Sequence, residues 1–246
     1  MRFNTNKKTN KYIMHQFQFE IIKEKKDKSK LEKFQNKTLE NKLWTPIIIP
    51  KWPIERNYMK INPTLFDLKE IKKEIFNLNE TWINKDLITN NWESLTLKSQ
   101  NGEEQSFLKK TDFTNYIYTD IIEKLPSIKQ LLEKIPTDIY LVRLLKLKKD
   151  GKIKFHTDEE VFKENNKIIR VHLPIITHKD VKFQIGYPLQ KPAEGFSVWN
   201  AEVLYETHLE EGYFWYTNVN TLHSVTNNSP IDRIHLVCDM KPFFKI

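Results

Sequence analysis

The chain holds a single cysteine, Cys238, in 246 residues. A lone thiol excludes an internal disulfide framework and suits a reducing compartment. No run approaches the roughly 18 apolar residues that a membrane span requires. Residues 1–10 are polar and carry no apolar stretch of signal-peptide type. A cytoplasmic protein without a membrane partner is the expectation. No internal repeat is present. Net charge is also nearly absent outside one region. Residues 1–50 contain 12 Lys and Arg against 5 Asp and Glu, whereas the rest of the chain holds 28 against 27. The overall +8 therefore belongs to the N-terminal tail. The compositional bias of an A/T-rich genome accounts for the abundance of Lys, Asn and Ile. A nucleic-acid-binding arm formed by residues 1–43 is the alternative reading.

What is present suits one domain with an appendage. Hydrophobic residues make up 39% of the chain and aromatics 12%, enough for a substantial core. Residues 1–43 form a basic low-complexity tail with weak or conditional order expected. The domain proper is predicted over 44–246. Pro46, Pro50 and Pro53 mark an extended lead-in with Ile47, Ile48 and Ile49 as a strand. Leu68, Ile71, Ile75 and Leu78 recur at helical spacing and predict a helix over 66–78. Residues 92–99 read as a strand entering a hairpin turn at Asn101-Gly102. Helices are predicted over 111–125 and over 127–135, the latter with Ser127 as N-cap and Pro136 as stop. The stretch 66–135 thus reads as a helical buttress. Beyond Pro136 the texture becomes β-rich, with short segments at 139–147, 152–155, 168–177, 181–185, 196–199, 212–217, 222–225 and 231–240. Such spacing predicts a mainly β sandwich or jelly roll over about 138–242.

Two of these strands alternate informatively. Ile169, Val171 and Leu173 fall on one face, with Arg170 and His172 on the other. Ile234 and Leu236 are likewise opposed to Arg233 and His235. A face carrying two arginines and two histidines is not a dry core, because unpaired buried charge is too costly. A polar cavity inside a β-roll reconciles both faces.

His156-Thr157-Asp158, His223 and Arg233 carry the chemistry. In a strand, His156 and Asp158 share one face. Two imidazoles and a carboxylate are the donor set of a facial triad that holds Fe(II) and leaves positions open. Arg233 follows His223 by ten residues across the turn-forming Asn227-Asn228-Ser229-Pro230, which predicts adjacent antiparallel strands. A guanidinium there can grip a carboxylate with two parallel hydrogen bonds. A His-x-Asp pair alone is weak evidence, and the distal residues give it weight. His208 and His235 are rival distal ligands, but His208 sits in an acidic, exposed-looking segment and His235 shares the pocket-lining face of Arg233. Arg170 read alone suits a structural salt bridge, and His172 a satisfied polar group. Arg143 is compatible with a substrate contact. Cys238, Trp199, Trp215 and Tyr216 read as core or pocket wall.

RLLKLKKDGKIKFHTD over 143–158, IRVHLPIIT over 169–177, GYFWYTN over 212–218 with His223-Ser224-Val225, and RIHLVCD over 233–239 occur in the order seen in one known family. Residues 140–240 resemble the aspartyl/asparaginyl β-hydroxylase family, which includes bacterial proline hydroxylases. The resemblance implies a double-stranded β-helix that uses Fe(II), 2-oxoglutarate and dioxygen. It implies that His156, Asp158 and His223 bind iron and that Arg233 binds the distal 2-oxoglutarate carboxylate. It also implies that Arg170 and His172 line the cofactor and substrate pocket. Animal members lack a carboxylate at the Asp158 position, whereas proline-hydroxylase-like members have one. This sequence shows neither the helical repeats nor the membrane anchor of the animal enzymes, so an EGF-like-domain substrate is not expected. The implied reaction is hydroxylation of an Asp, Asn or Pro type side chain, in a free amino acid or a peptide, coupled to conversion of 2-oxoglutarate to succinate. The alternatives are a nucleic-acid-directed oxygenase docking through the tail, a non-catalytic cupin-like binding module, and another oxidative outcome such as desaturation. Halogenation conflicts with Asp158, which occupies the place of a halide. Segment 186–211, with Pro188, Pro192 and Gly195, reads as a lid or an oligomer contact.

Overall fold

The computed structural model describes residues 58–61, 65–84, 91–104, 113–158, 168–190 and 199–242. The expected tail over 1–43, the strand at Ile47–Ile49 and its proline-marked lead-in lie outside the described residues.

From residue 139 onward the chain winds between two facing sheets. Strands β1 (Tyr58–Lys60), β2 (Ile83–Asn84), β3 (Trp92–Gln100), β4 (Tyr116–Tyr118), β5 (Ile139–Leu147), β7 (Ile169–Ile176), β10 (Trp215–Thr217) and β12 (Arg233–Met240) form the larger sheet. Its order is β1-β10-β7-β12-β5-β3-β2, with β4 paired to β3. Strands β6 (Lys152–His156), β8 (Val181–Gln190), β9 (Asn200–Thr207) and β11 (His223–Asn227) form the smaller sheet in the order β6-β11-β8-β9. All pairings are antiparallel. The four strands β10-β7-β12-β5 oppose the four of the smaller sheet, and the chain alternates between them. This is the topology of a double-stranded β-helix.

The alternation seen in the sequence decides which side of the larger sheet faces what. Val171, Leu173, Ile175, Leu236, Cys238 and Met240 pack outward with Leu95, Val142 and Leu144 into the main apolar core. Helices α1 (Lys69–Phe76) and α2 (Pro126–Glu133) cover that core with Ile71, Ile75, Ile128, Leu131 and Leu132. The Glu74 carboxylate of α1 accepts hydrogen bonds from the Ser127 N–H at 3.1 Å and the Ser127 hydroxyl at 2.6 Å. It thereby satisfies an otherwise orphan donor in the first turn of α2. Between the sheets, Leu147, Val181, Phe183, Ile185, Trp215 and Val225 form a second, smaller core at one end of the roll. The opposite part of the interior is polar.

Several expectations are corrected. The helix expected over 111–125 is instead strand β4 followed by a 3-10 helix at Asp120–Lys124, with residues 111 and 112 outside the described set. Tyr116, Ile117 and Tyr118 are good strand formers, and pairing with Lys98–Gln100 overrides the local helical spacing. The predicted buttress therefore contributes strands as well as helices. Ser127 is not an N-cap: Pro126 occupies the first helical position, where its fixed φ suits helix initiation. The strand predicted at 196–199 falls mostly outside the described residues, while β9 went unpredicted because its exposed edge lacks strict apolar alternation. In segment 186–211, residues 186–190 and 200–207 form the edge strand pair of the smaller sheet.

His223 and Arg233 do not lie on adjacent paired strands. β11 pairs with β6 and β8, whereas β12 pairs with β5 and β7 in the opposite sheet. The turn between them crosses the roll, held by Asn227. Its side-chain amide donates to the carbonyls of Leu147 at 3.1 Å, Lys148 at 3.0 Å and Ile231 at 2.9 Å. The Asn101-Gly102 turn is as expected, with φ of 59° and 72°.

Candidate metal and carboxylate site

His156 and His223 are direct cross-strand partners on β6 and β11, and their ring centroids lie 4.3 Å apart. Asp158 lies beyond the end of β6, so strand alternation is not what places it. Its backbone N–H donates to the Val219 carbonyl at 2.8 Å, which draws the residue back over the pair. One ligand atom from each of His156, Asp158 and His223 falls within 4.8 Å of the others. The His156 Nε2 lies 3.6 Å from Asp158 Oδ1.

The imidazoles are oriented by backbone. His156 Nδ1 is 2.7 Å from the Lys154 carbonyl and His223 Nδ1 is 2.9 Å from the Thr221 carbonyl. A carbonyl only accepts, so each Nδ1 carries the proton and each Nε2 keeps its lone pair for a metal. Burial pushes His223 down to about 4; His156 adds to the fall and Asp158 opposes it. The ring is therefore neutral and ligand-ready near pH 7. Burial alone would raise the Asp158 carboxyl, but Arg170, His223, His156 and Arg143 together hold it below the ordinary carboxylate value.

The opposing sheet supplies the cations. Arg233 is 2% exposed and has no acidic partner among the described residues. Burial pulls its guanidinium down to about 9. One nitrogen, Nη2, donates to His235 Nδ1 at 2.6 Å, while Nε has no hydrogen-bond partner. The His235 ring meets the His172 ring edge-on with centroids 5.7 Å apart. Burial, then the Arg233 charge, drives His235 well below its ordinary value; for His172 the order is burial, Arg233, Arg170 and His223. His235 Nε2 and His172 Nδ1 also lack hydrogen-bond partners. A polar track therefore runs from Arg233 through His235 and His172 toward the triad. An unneutralised buried guanidinium with an unpaired Nε fits a carboxylate ligand.

Arg170 faces the chain's own acids. Its Nε and Nη2 donate to the two oxygens of Asp239 at 2.7 and 2.9 Å, and its Nη1 donates to Asp158 Oδ2. Asp239 was not singled out in the sequence. The signal was available, since the odd positions from Arg233 through His235 continue to it. Arg143 is buried on β5 opposite Val237, and burial followed by the Arg170 charge lowers it to about 10. His208 stands apart from the triad, with Nδ1 3.2 Å from the Val181 carbonyl. Cys238 lies in the outer core and Trp215 in the inner one.

The model of the Aspartyl/Asparaginyl beta-hydroxylase family matches residues 55–242. No curated protein matches the chain. Among solved structures, a 2OG-Fe(II) oxygenase family oxidoreductase from Burkholderia pseudomallei is similar with a TM-score of 0.43 at 15% identity, over 71% of this chain and 78% of that one. HygX from Streptomyces hygroscopicus, crystallised with nickel and 2-oxoglutarate, has a TM-score of 0.43 at 11% identity, over 76% and 84%. The α-ketoglutarate-dependent epimerase SnoN from nogalamycin biosynthesis has a TM-score of 0.42 at 13% identity, over 75% and 78%. The family match takes in both sheets of the roll and every residue of the His-Asp-His cluster, so the chain belongs to the aspartyl/asparaginyl β-hydroxylase family and is a 2-oxoglutarate-dependent oxygenase.

Proposed function

We propose that this oxygenase hydroxylates an amino-acid side chain of the Asp, Asn or Pro type, in a free amino acid or a peptide. The observation that carries the reading is the convergence of three ligand atoms within 4.8 Å, facing a buried arginine on the opposite sheet that has no acidic partner among the described residues. His156, Asp158 and His223 would hold Fe(II). Arg233 would hold the 5-carboxylate of 2-oxoglutarate, with His235 and His172 along its length. When bound, Fe(II) and 2-oxoglutarate supply oxidation of an unactivated C–H bond, with succinate and carbon dioxide as coproducts.

The chain's part is placement. The Lys154 and Thr221 carbonyls fix both imidazoles with Nε2 directed at the metal. Asp158 stays ionised because Arg170 faces it. Leu147, Phe183, Ile185 and Trp215 keep water from one end of the interior, which strengthens the Arg233–carboxylate interaction. His156 and Asp158 are partly exposed, so the substrate would approach from their side. No helix among the described residues is long and apolar enough to cross a membrane.

The test is anaerobic titration of the full chain with Fe(II) and then 2-oxoglutarate, following the visible charge-transfer band of the chelate. A band in the wild type that is lost in His223→Ala is the expected result. Succinate release is then screened across amino acids and short peptides. A folded, iron-loaded wild type without the band would refute the proposal.

A further inference from the structure

Asp158 has two oxygens with different neighbours. Oδ1 faces His156 Nε2 at 3.6 Å, and Oδ2 accepts a hydrogen bond from Arg170 Nη1. Arg170 cannot swing away, because its Nε and Nη2 are held by both oxygens of Asp239. Asp239 is fully buried and sits opposite Arg170 in the β12–β7 register, so backbone pairing fixes the spacing of the ion pair. Such two-point Arg–carboxylate contacts add geometric constraint as well as attraction. The three groups form a buried chain, carboxylate to guanidinium to carboxylate, that ends on the metal ligand.

We infer that Asp239 is a positioning residue that acts through Arg170 to make Asp158 a one-oxygen metal ligand. With Oδ2 engaged by Arg170, Oδ1 is the oxygen of Asp158 left facing His156 and the metal position. Two imidazole nitrogens and one oxygen would then hold the metal, which would keep its remaining positions for 2-oxoglutarate and dioxygen. A carboxylate free to bind through both oxygens would consume one of those positions. The inference rests on the triad being the metal site, and it gives Arg170 a role toward the metal ligand rather than toward the cosubstrate.

Cobalt(II) binding tests it without turnover. The full chain is titrated anaerobically with Co(II), and visible d–d bands report both affinity and coordination number. Wild type against Asp158→Ala comes first. Identical binding by the two would refute the triad itself, an outcome separate from failure of the role given to Asp239. Asp239→Asn keeps the shape but removes the charge that holds Arg170. It is expected to weaken Co(II) binding about 10- to 100-fold, as loss of groups supporting a metal ligand does, and to alter the band positions. Because Asp239→Asn leaves a guanidinium less well neutralised and can fail to fold, Arg170→Met/Asp239→Leu removes both charges together. The double variant is expected to fold and to show the same weakening. Asp239→Glu is expected to recover part of the affinity. Wild-type Co(II) affinity and spectrum in either folded variant would overturn the inference and leave the Arg170–Asp239 pair as structural only.

Discussion

Arg233→Met should have opposite effects on the empty protein and on ligand binding. Burial lowers the Arg233 guanidinium to about 9, so at pH 7 its desolvation costs on the order of 5 kcal/mol. Removing the residue also removes its hydrogen bond to His235, worth about 1–2 kcal/mol. Methionine fills similar volume without charge. The ligand-free variant is therefore expected to be more stable than wild type by about 3–4 kcal/mol, owing to removal of the unneutralised charge. 2-Oxoglutarate affinity should fall by the about 2–5 kcal/mol typical of truncating a buried charge pair, or about thirty- to four-thousand-fold. Urea denaturation with Ni(II) in place of iron, with and without 2-oxoglutarate, reads both. At a hundredfold excess over Kd the ligand should add about 2.7 kcal/mol to wild type and far less to the variant. The pH dependence comes from linkage. The unfolded state holds this proton more tightly than the folded state, so wild-type stability recovers as pH rises above about 9, and the gap to the variant narrows. A ligand-free variant less stable than wild type at pH 7, or one that keeps wild-type 2-oxoglutarate affinity, would refute this account of Arg233.

Asn227→Ala should destabilise the protein by about 3 kcal/mol, because three backbone carbonyls at the crossing between sheets lose their donor; the urea midpoint measures it. Glu74→Ala should cost about 1 kcal/mol by removing the acceptor at the start of α2, read in the same assay, and should leave 2-oxoglutarate affinity unchanged. The metal-free protein should lose stability as pH falls from 6.5 toward 4. His223, His172 and His235 are all held below their ordinary value of 6.5, so the unfolded state takes up protons first. His223 alone, falling to about 4, corresponds to about 3 kcal/mol across that window. A flat urea midpoint from pH 7 to pH 5 would contradict it.

Much of the roll was legible because its strands are built from β-branched and apolar residues at period two. The segment predicted at 139–147 coincides with β5. The split between an apolar and a charged face on β7 and β12 was readable too, since Val171, Leu173, Ile234 and Leu236 alternate with Arg170, His172, Arg233 and His235. The candidate ligands were readable from residue type alone. Their placement was not. Asp158 reaches the imidazoles through a backbone contact with Val219, sixty-one residues away in sequence, and β11 and β12 belong to different sheets because the Asn227 turn crosses between them. The helix expected at 111–125 failed for the same reason. Its strand residues find partners on β3, and long-range pairing is invisible to local spacing.

The position of Arg233 relative to the metal ligands yields a sharper test of how the two ends of one ligand cooperate. Val237 pairs with His172, and His172 is close enough to feel the charges of both Arg233 and His223. The His235 ring joins that level to Arg233, meeting His172 edge-on and accepting a hydrogen bond from Arg233 Nη2. With one end of 2-oxoglutarate on the metal and the other on Arg233, the two contacts would be made by different groups of the ligand, and their contributions should be nearly independent. Metal should strengthen 2-oxoglutarate binding by some factor, and reciprocity requires 2-oxoglutarate to strengthen metal binding by the same factor. Loss of Arg233 should weaken 2-oxoglutarate binding equally with and without metal, leaving that factor unchanged. Ni(II) titrations with and without 2-oxoglutarate, on wild type and Arg233→Met, complete the cycle. A factor that collapses in the variant would mean that Arg233 and the metal compete for the same end of the ligand, and the clamp geometry would be wrong.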